Sequence, residues 1–289
     1  MAKKLVQFDW AIKKLLRHKT NFKILEGFLS ELLGFDVTID SILESEGNQE
    51  DAEDKSNRVD ILVRSSSGEL MLVEVQNDAQ VDYFHRMAYG ASKLITEYIK
   101  KGDPYGAIKK VFSINIVYFN LGQGKDYIYE YGGYFEGLHH KDKLLPSERQ
   151  QSDYNVLEVA DIFPKYYILK TNNFDDIARS TLDEWIYFLK NSEVKEEFGA
   201  KGLDEAREKL QEESLSAEDR KAYQRYQENR RVERSVLETA IKEGETRGEA
   251  KGVQKIVINM YLKGMPLEQI ADFADIPLKE VERIIKNFA

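Results

Sequence analysis

The chain has 289 residues, a formal net charge of −9 and no cysteine, with 42% hydrophobic and 32% charged residues. This length and apolar content allow one large domain or two around a sizeable core. The lack of cysteine excludes disulfides and thiolate metal sites and suits a reducing cytoplasm, while the acidic balance argues against a generic polyanion binder and leaves room for a local basic surface.

The first residues, M-A-K-K-L-V-Q-F-D, lack the apolar run of a signal peptide. No stretch of about 18 apolar residues follows, so no membrane span is expected. Leu5 to Lys19 reads as a helix, with Phe8, Ile12, Leu15 and Leu16 as its apolar positions. Thr20 or Asn21 offers a cap for a second helix, Phe22 to Leu33, which Gly34 stops. A strand is expected over Val37 to Leu43. Glu44 to Asn57 is polar and acidic and reads as a mobile loop.

Arg58 to Gln76 is the most informative stretch. Val59, Ile61 and Val63 alternate with Asp60, Leu62 and Arg64; Ser65-Ser66-Ser67-Gly68 is a turn signal, and Leu70 to Val75 is a second β-rich run. The expected hairpin is interrupted by Asp60 near its start and by Glu74 and Gln76 at its end. Glu74 and Gln76 are two apart and leave the same face of one strand, and Asp60 lies on the neighbouring strand. Two carboxylates and an amide oxygen are hard donors of the kind that Mg²⁺ selects. Burying them is costly unless a cation or hydrogen-bond donors compensate. Such residues also occur on the solvent face of an amphipathic strand, and the pattern alone leaves both readings open.

Asp82 to Lys101 reads as a long helix ended by Gly102, with Pro104 beyond. On it Arg86, Tyr89 and Lys93 share one face and are candidates for gripping a phosphate; a structural arginine with a tyrosine neighbour is the competing reading. Lys110 to Asn120 is a buried strand, Tyr127 to Phe135 a tyrosine-rich strand, and Tyr154 to Val159 the expected last strand before an aromatic segment, Phe163 to Leu169. His85 and the pair His139-His140 are expected to be solvated. Thr181 to Leu189 is a helix with Leu182, Trp185, Ile186 and Leu189 on one face.

The composition then changes. Residues 191–250 hold 28 charged side chains, 12 basic and 16 acidic, which points to a solvated helical linker or extended arm. Gly244, Gly248 and Gly252 recur at four-residue spacing along it, a pattern that weakens a helix. Beyond it, Ile256 to Leu262, Leu267 to Phe273 and Leu278 to Phe288 read as short helices, the last two in a minimal helix-turn-helix arrangement. The net charge of residues 251–289 is only +1, so packing or protein contact is favoured over DNA contact.

The order of these motifs resembles the PD-(D/E)xK nuclease superfamily, with Gln76 in the place of its usual lysine. More closely it resembles the transposase-like family that includes the recombination-promoting nucleases of bacteria. Four stretches carry the likeness: F-D-W-A-I-K-K-L-L, which matches a D-x-x-F-K-x-L helix except for Ile12; the D…E-x-Q hairpin; Y-F-H-R-M-A-Y-G-A-S-K-L; and K-K-G-D-P-Y-G-A-I-K-K-V-F-S-I-N-I. They span roughly Phe8 to Leu121, and the likeness is looser beyond.

The resemblance implies a restriction-endonuclease-like α/β fold, a mixed sheet flanked by helices, over residues 1–190. A charged helical arm over 191–250 and a small helical unit over 251–289 complete the expected organisation. It implies a cytoplasmic endonuclease hydrolysing DNA with Mg²⁺ or Mn²⁺, linked to transposition, recombination or phage defence. Asp60 and Glu74 would hold the metal, completed by the Val75 carbonyl and supported by Asp9, with Glu26 as the competing acid. Gln76 would orient water or phosphate. A homodimer paired through the arm is expected. The rival reading is a catalytically idle scaffold of the same fold.

Overall fold

The computed structural model describes residues 5–43, 60–99 and 101–288. The loop expected over Glu44 to Asn57, and Arg58 and Val59, lie outside them.

Six strands form one mixed sheet in the order β1-β2-β3-β4-β6-β5. They are β1 (Ile39–Leu43), β2 (Ile61–Ser65), β3 (Leu70–Gln76), β4 (Val111–Val117), β5 (Ile128–Tyr131) and β6 (Lys165–Lys170). The pairs β1–β2, β2–β3 and β5–β6 are antiparallel, whereas β3–β4 and β4–β6 are parallel. This explains the apolar runs in β3 and β4: parallel strands at the centre of a sheet are covered on both faces and lose the polar alternation of an edge. All seven residues of β4 are buried.

The β2–β3 hairpin turns at Gly68, whose φ of 93° suits a residue without a Cβ. On one side of the sheet, α3 (Tyr83–Tyr98) sets Ala91 and Leu94 against Leu62, Leu70, Leu72 and Val111. Elsewhere α1 (Phe8–Lys14), α2 (Phe22–Leu33) and α5 (Thr181–Asn191) meet in an aromatic cluster of Phe8, Phe28, Trp185 and Phe188, with ring centroids 5.5–6.0 Å apart.

Several elements depart from the sequence reading. Helix α1 is shorter than Leu5 to Lys19 because the chain before it is extended: Leu5 bridges to Gln211, and the Val6 N–H donates to the Leu210 carbonyl at 2.8 Å. Asn21 precedes α2 but makes no capping bond; its amide donates to Leu15 O. The strand expected over Tyr154 to Val159 is absent. That region holds α4 (Glu148–Tyr154), started by a reciprocal Ser147–Gln150 capping box, and then irregular chain with Leu157 77% exposed. The last strand is instead β6, overlapping the expected aromatic segment, and its backbone pairs in parallel with β4.

The chain divides into two compact units, Met1–Arg220 and Lys221–Ala289. The division expected at residue 190 falls inside the first. Charge density hid a sparse set of apolar anchors: Val194, Phe198, Leu203, Ala206, Leu210 and Leu215 are all buried. Helix α6 (Leu203–Lys209) and the turn before it are seated closely on α2. A methyl group on Gly27 would overlap the Lys201 carbonyl, and Gly202 adopts a φ of 84°. Trp185 Nε1 donates to that same carbonyl at 3.1 Å.

The second unit contains most of α7 (Ala217–Leu262), with α8 (Leu267–Ala274) and α9 (Leu278–Phe288). Val257, Ile270, Ala271, Val281, Ile284 and Ile285 form its core. The expected arm from Ala217 onward and the helix over Ile256 to Leu262 are one continuous helix, and Gly244, Gly248 and Gly252 within it face open space. No helix among the described residues is long and apolar enough to cross a membrane.

Candidate active site

Strand period places the acidic residues. Leu70 and Leu72 face α3, and Glu74 continues that row. In the antiparallel register Ile61 pairs with Val73 and Leu62 with Leu72, so Asp60, one residue before β2, falls across from Glu74. Asp60 is fixed there by its Oδ2, which accepts the Val75 peptide N–H at 2.6 Å. Arg17 Nη2 donates to the Asp60 carbonyl, also at 2.6 Å.

Glu74 is 4% exposed. Burial, opposed by the Arg86 guanidinium and reinforced by the Asp60 charge, pushes its carboxyl up to about 7. Arg86 Nε lies 3.6 Å from Glu74 Oε2, too far for a hydrogen bond, and both atoms are buried without one. Asp60 is also raised, by burial against the pull of Lys13 and the Val75 N–H. Like charges on directly opposed strand positions are destabilising, and here Glu74 is buried and Asp60 partly so.

Asp9 is buried on α1, but it reaches this pair indirectly. Its Oδ1 lies 2.5 Å from Lys13 Nζ and its Oδ2 accepts from Asn77 Nδ2 at 2.7 Å. Lys13 Nζ lies 3.5 Å from Asp60 Oδ1. Burial lowers the Lys13 pKa, but Asp9 and Asp60 outweigh it and the ammonium is held above its ordinary value. Among the described residues no three of Asp, Glu and His come close enough to hold one metal together. The hard-oxygen set is therefore the Asp60–Glu74 pair with neighbouring backbone, and Asp9 is joined to it through Lys13. Glu26 is elsewhere: its Oε1 accepts the Ile39 N–H at 2.8 Å and anchors β1.

Gln76 ends β3, and its amide donates to Asp78 O at 3.3 Å. Of the three α3 residues, Arg86 pairs with Glu74 and also donates to Gln80 Oε1 at 3.3 Å. Tyr89 is 45% exposed, and Lys93 pairs with Glu97 at 3.7 Å. His85, His139 and His140 are exposed.

Sequence reasoning missed four residues here. Lys13 lies one helical turn after Asp9, a spacing that puts the two on one face. Asn77 follows Gln76 directly. Asn115, in register with Glu74 on β4, is a buried amide inside an apolar run, and the hydroxyl of fully buried Tyr83 donates to its Oδ1 at 3.3 Å. A polar residue in a central parallel strand was the available signal for Asn115.

Glu74 near the end of β3 and Asp60 across from it lie within the stretch that a nuclease family model matches. The model of the PD-(D/E)XK nuclease family transposase matches residues 6–240. The chain belongs to that family. Membership supports a nuclease- and transposition-related role, and PD-(D/E)XK nucleases generally use divalent metals and act on DNA. The mixed sheet with its flanking helices is the restriction-endonuclease-like α/β fold of these nucleases. Comparisons with curated proteins and with solved structures gave no significant match.

Proposed function

We propose that this PD-(D/E)XK family member is a Mg²⁺- or Mn²⁺-dependent DNA endonuclease, serving transposition, recombination or phage defence in the cytoplasm. One observation carries the reading: Asp60 and Glu74 oppose each other in a buried setting, and Glu74 Oε2 lacks a hydrogen-bond donor. A divalent cation is the charge that such a pair needs, and two carboxylates with a Val75 peptide oxygen are the donors it prefers. When bound, that cation supplies Lewis-acid activation of water and of the scissile phosphate.

The protein's own residues do the rest. Glu74 must be ionised to ligate, so its raised pKa couples metal affinity to pH. The Val75 N–H keeps Asp60 aimed. Arg86 balances Glu74 in the free protein and turns to a phosphate oxygen when a cation takes over that carboxylate. Tyr89 and Lys93 extend the same helix face along the nucleic acid. Gln76 orients water or phosphate and supplies no charge. Pairing of two chains through α7 would place one site on each DNA strand.

The test is incubation of supercoiled plasmid with the purified full chain in Mg²⁺, in Mn²⁺ and in EDTA. Nicking or linearisation in either metal and none in EDTA supports the reading. Intact plasmid under every condition favours the idle scaffold of the same fold.

A further inference from the structure

Position 76 is a glutamine where the superfamily's motif has a lysine, yet a cation reaches one carboxylate of the Asp60–Glu74 pair from another element. Lys13 reaches from α1 to within 2.5 Å of Asp9 Oδ1 and 3.5 Å of Asp60 Oδ1. Those carboxylates are tied in turn to the two residues flanking Gln76: Asp60 to the Val75 N–H at 2.6 Å, and Asp9 to the Asn77 amide at 2.7 Å. A single ammonium is thereby indexed to the end of β3 without belonging to it.

Gln76 cannot take that part, since an amide carries no charge and its nitrogen donates to Asp78 O. The helix that carries Lys13 is firmly seated: Phe8, Asp9, Trp10, Ala11 and Ile12 are all buried. The Lys13 side chain itself is 43% exposed, so its ammonium is open to an incoming ligand while its neighbours hold it in place. In the free protein Arg86 is engaged with Glu74 and Gln80, and Arg17 with the Asp60 carbonyl.

We propose that Lys13 is a catalytic residue that supplies, from α1, the positive charge missing at position 76. The inference rests on the nuclease reading above. In hydrolysis a water oxygen bonds to phosphorus and the bond from phosphorus to the leaving ester oxygen breaks. The water's proton passes to solvent, and the leaving oxygen takes a proton from solvent. Lys13 exchanges no proton in this scheme. Its ammonium pairs with a non-bridging phosphate oxygen as negative charge builds there, and Asp9 holds it in position.

The experiment moves the charge between the two positions in the full chain. Lys13→Gln, Lys13→Arg and the double variant Lys13→Gln/Gln76→Lys are compared with wild type for plasmid cleavage, for Mn²⁺ affinity by calorimetry and for thermal midpoint. Lys13→Gln is expected to lose about 10²-fold in kcat, the scale of removing one electrostatic contact to a transition state. Its Mn²⁺ affinity is expected to hold or tighten, because a competing cation leaves Asp60. Lys13→Arg keeps the charge and the ion pairs, folds like wild type and retains more activity than Lys13→Gln. The double variant is expected to regain about tenfold over Lys13→Gln, that is, about 1.4 kcal/mol of barrier. Wild-type cleavage by Lys13→Gln overturns the proposal. So does a loss that neither Lys13→Arg nor the double variant repairs, which would make Lys13 a structural clamp. A wild-type chain that cleaves in neither metal defeats the nuclease reading itself and takes this proposal with it, an outcome distinct from both.

Discussion

The Val75 amide nitrogen lies 2.6 Å from Asp60 Oδ2, so a residue of the candidate metal pair also terminates the backbone of the strand that carries its partner. Removing the Asp60 side chain therefore does more than relieve charge repulsion. We expect Asp60→Ala to leave the Val75 N–H without its acceptor and to lower stability by about 1–3 kcal/mol. Asp60→Asn keeps an acceptor oxygen and should fold close to wild type while losing metal-dependent cleavage. Thermal midpoints and plasmid nicking of the two variants, measured together, separate these effects.

Glu74 gives the protein a pH signature. Its carboxyl is ordinary in the unfolded chain and raised to about 7 in the folded one, chiefly by burial. The stability linked to its proton is complete below about pH 4.5 and is lost as pH rises through about 7. Ionised and without metal, it costs the fold up to roughly 3 kcal/mol. Glu74→Gln should flatten this part of the stability profile, so its midpoint should gain on wild type between pH 5 and pH 8. Parallel profiles for the two proteins would show that Glu74 is ionised at ordinary pH.

The same residue predicts that metal affinity rises with pH until Glu74 is fully ionised. Calorimetric titration with Mn²⁺ from pH 6 to pH 8 should show tightening affinity and proton release that fades toward the upper end. Affinity that is flat over this range would place the ion elsewhere.

The boundary of the first unit is testable by truncation. A chain ending at residue 190 lacks Leu203, Leu210 and Leu215, each worth about 1.5–3 kcal/mol when fully buried, along with Phe198 and the α2 contact at Lys201. That loss rivals the whole stability of a typical domain, so 1–190 should fail to fold, whereas 1–220 should give a cooperative melt. Gly27→Ala probes the same seam within the full chain. Its methyl group meets backbone, which cannot swing aside, and a loss of about 1–3 kcal/mol or more is expected.

These residues show what the sequence reveals and what it conceals. The hairpin was legible because alternation, a Gly-containing turn and two acids interrupting apolar runs coincide within Arg58 to Gln76. From Asp60, Glu74 and Gln76 a candidate site could be proposed on that hairpin. Lys13 did not, because nothing in a one-dimensional pattern says that α1 crosses the end of β3. The strand expected over Tyr154 to Val159 failed for a related reason. Leu157 looks like a core residue by type, but only the vacancy beside β4 decides that Lys165 to Lys170 fills it. The S-x-x-Q signature of Ser147 and Gln150 was a readable helix start that apolar pattern overshadowed. The buried anchors beyond residue 190 were hidden because charge was counted along the chain, whereas burial of Leu203 and Leu210 depends on packing against α2 at Gly27.

The central claim is that Asp60 and Glu74 jointly hold a divalent cation. Anomalous diffraction from crystals grown with Mn²⁺ at about pH 8, above the Glu74 pKa, tests it directly. One strong peak bridging the two carboxylates is expected, with oxygen distances of about 2.1–2.2 Å, close to those of Mg²⁺. A well-ordered structure with Glu74 still facing Arg86 and no peak between the carboxylates would contradict it.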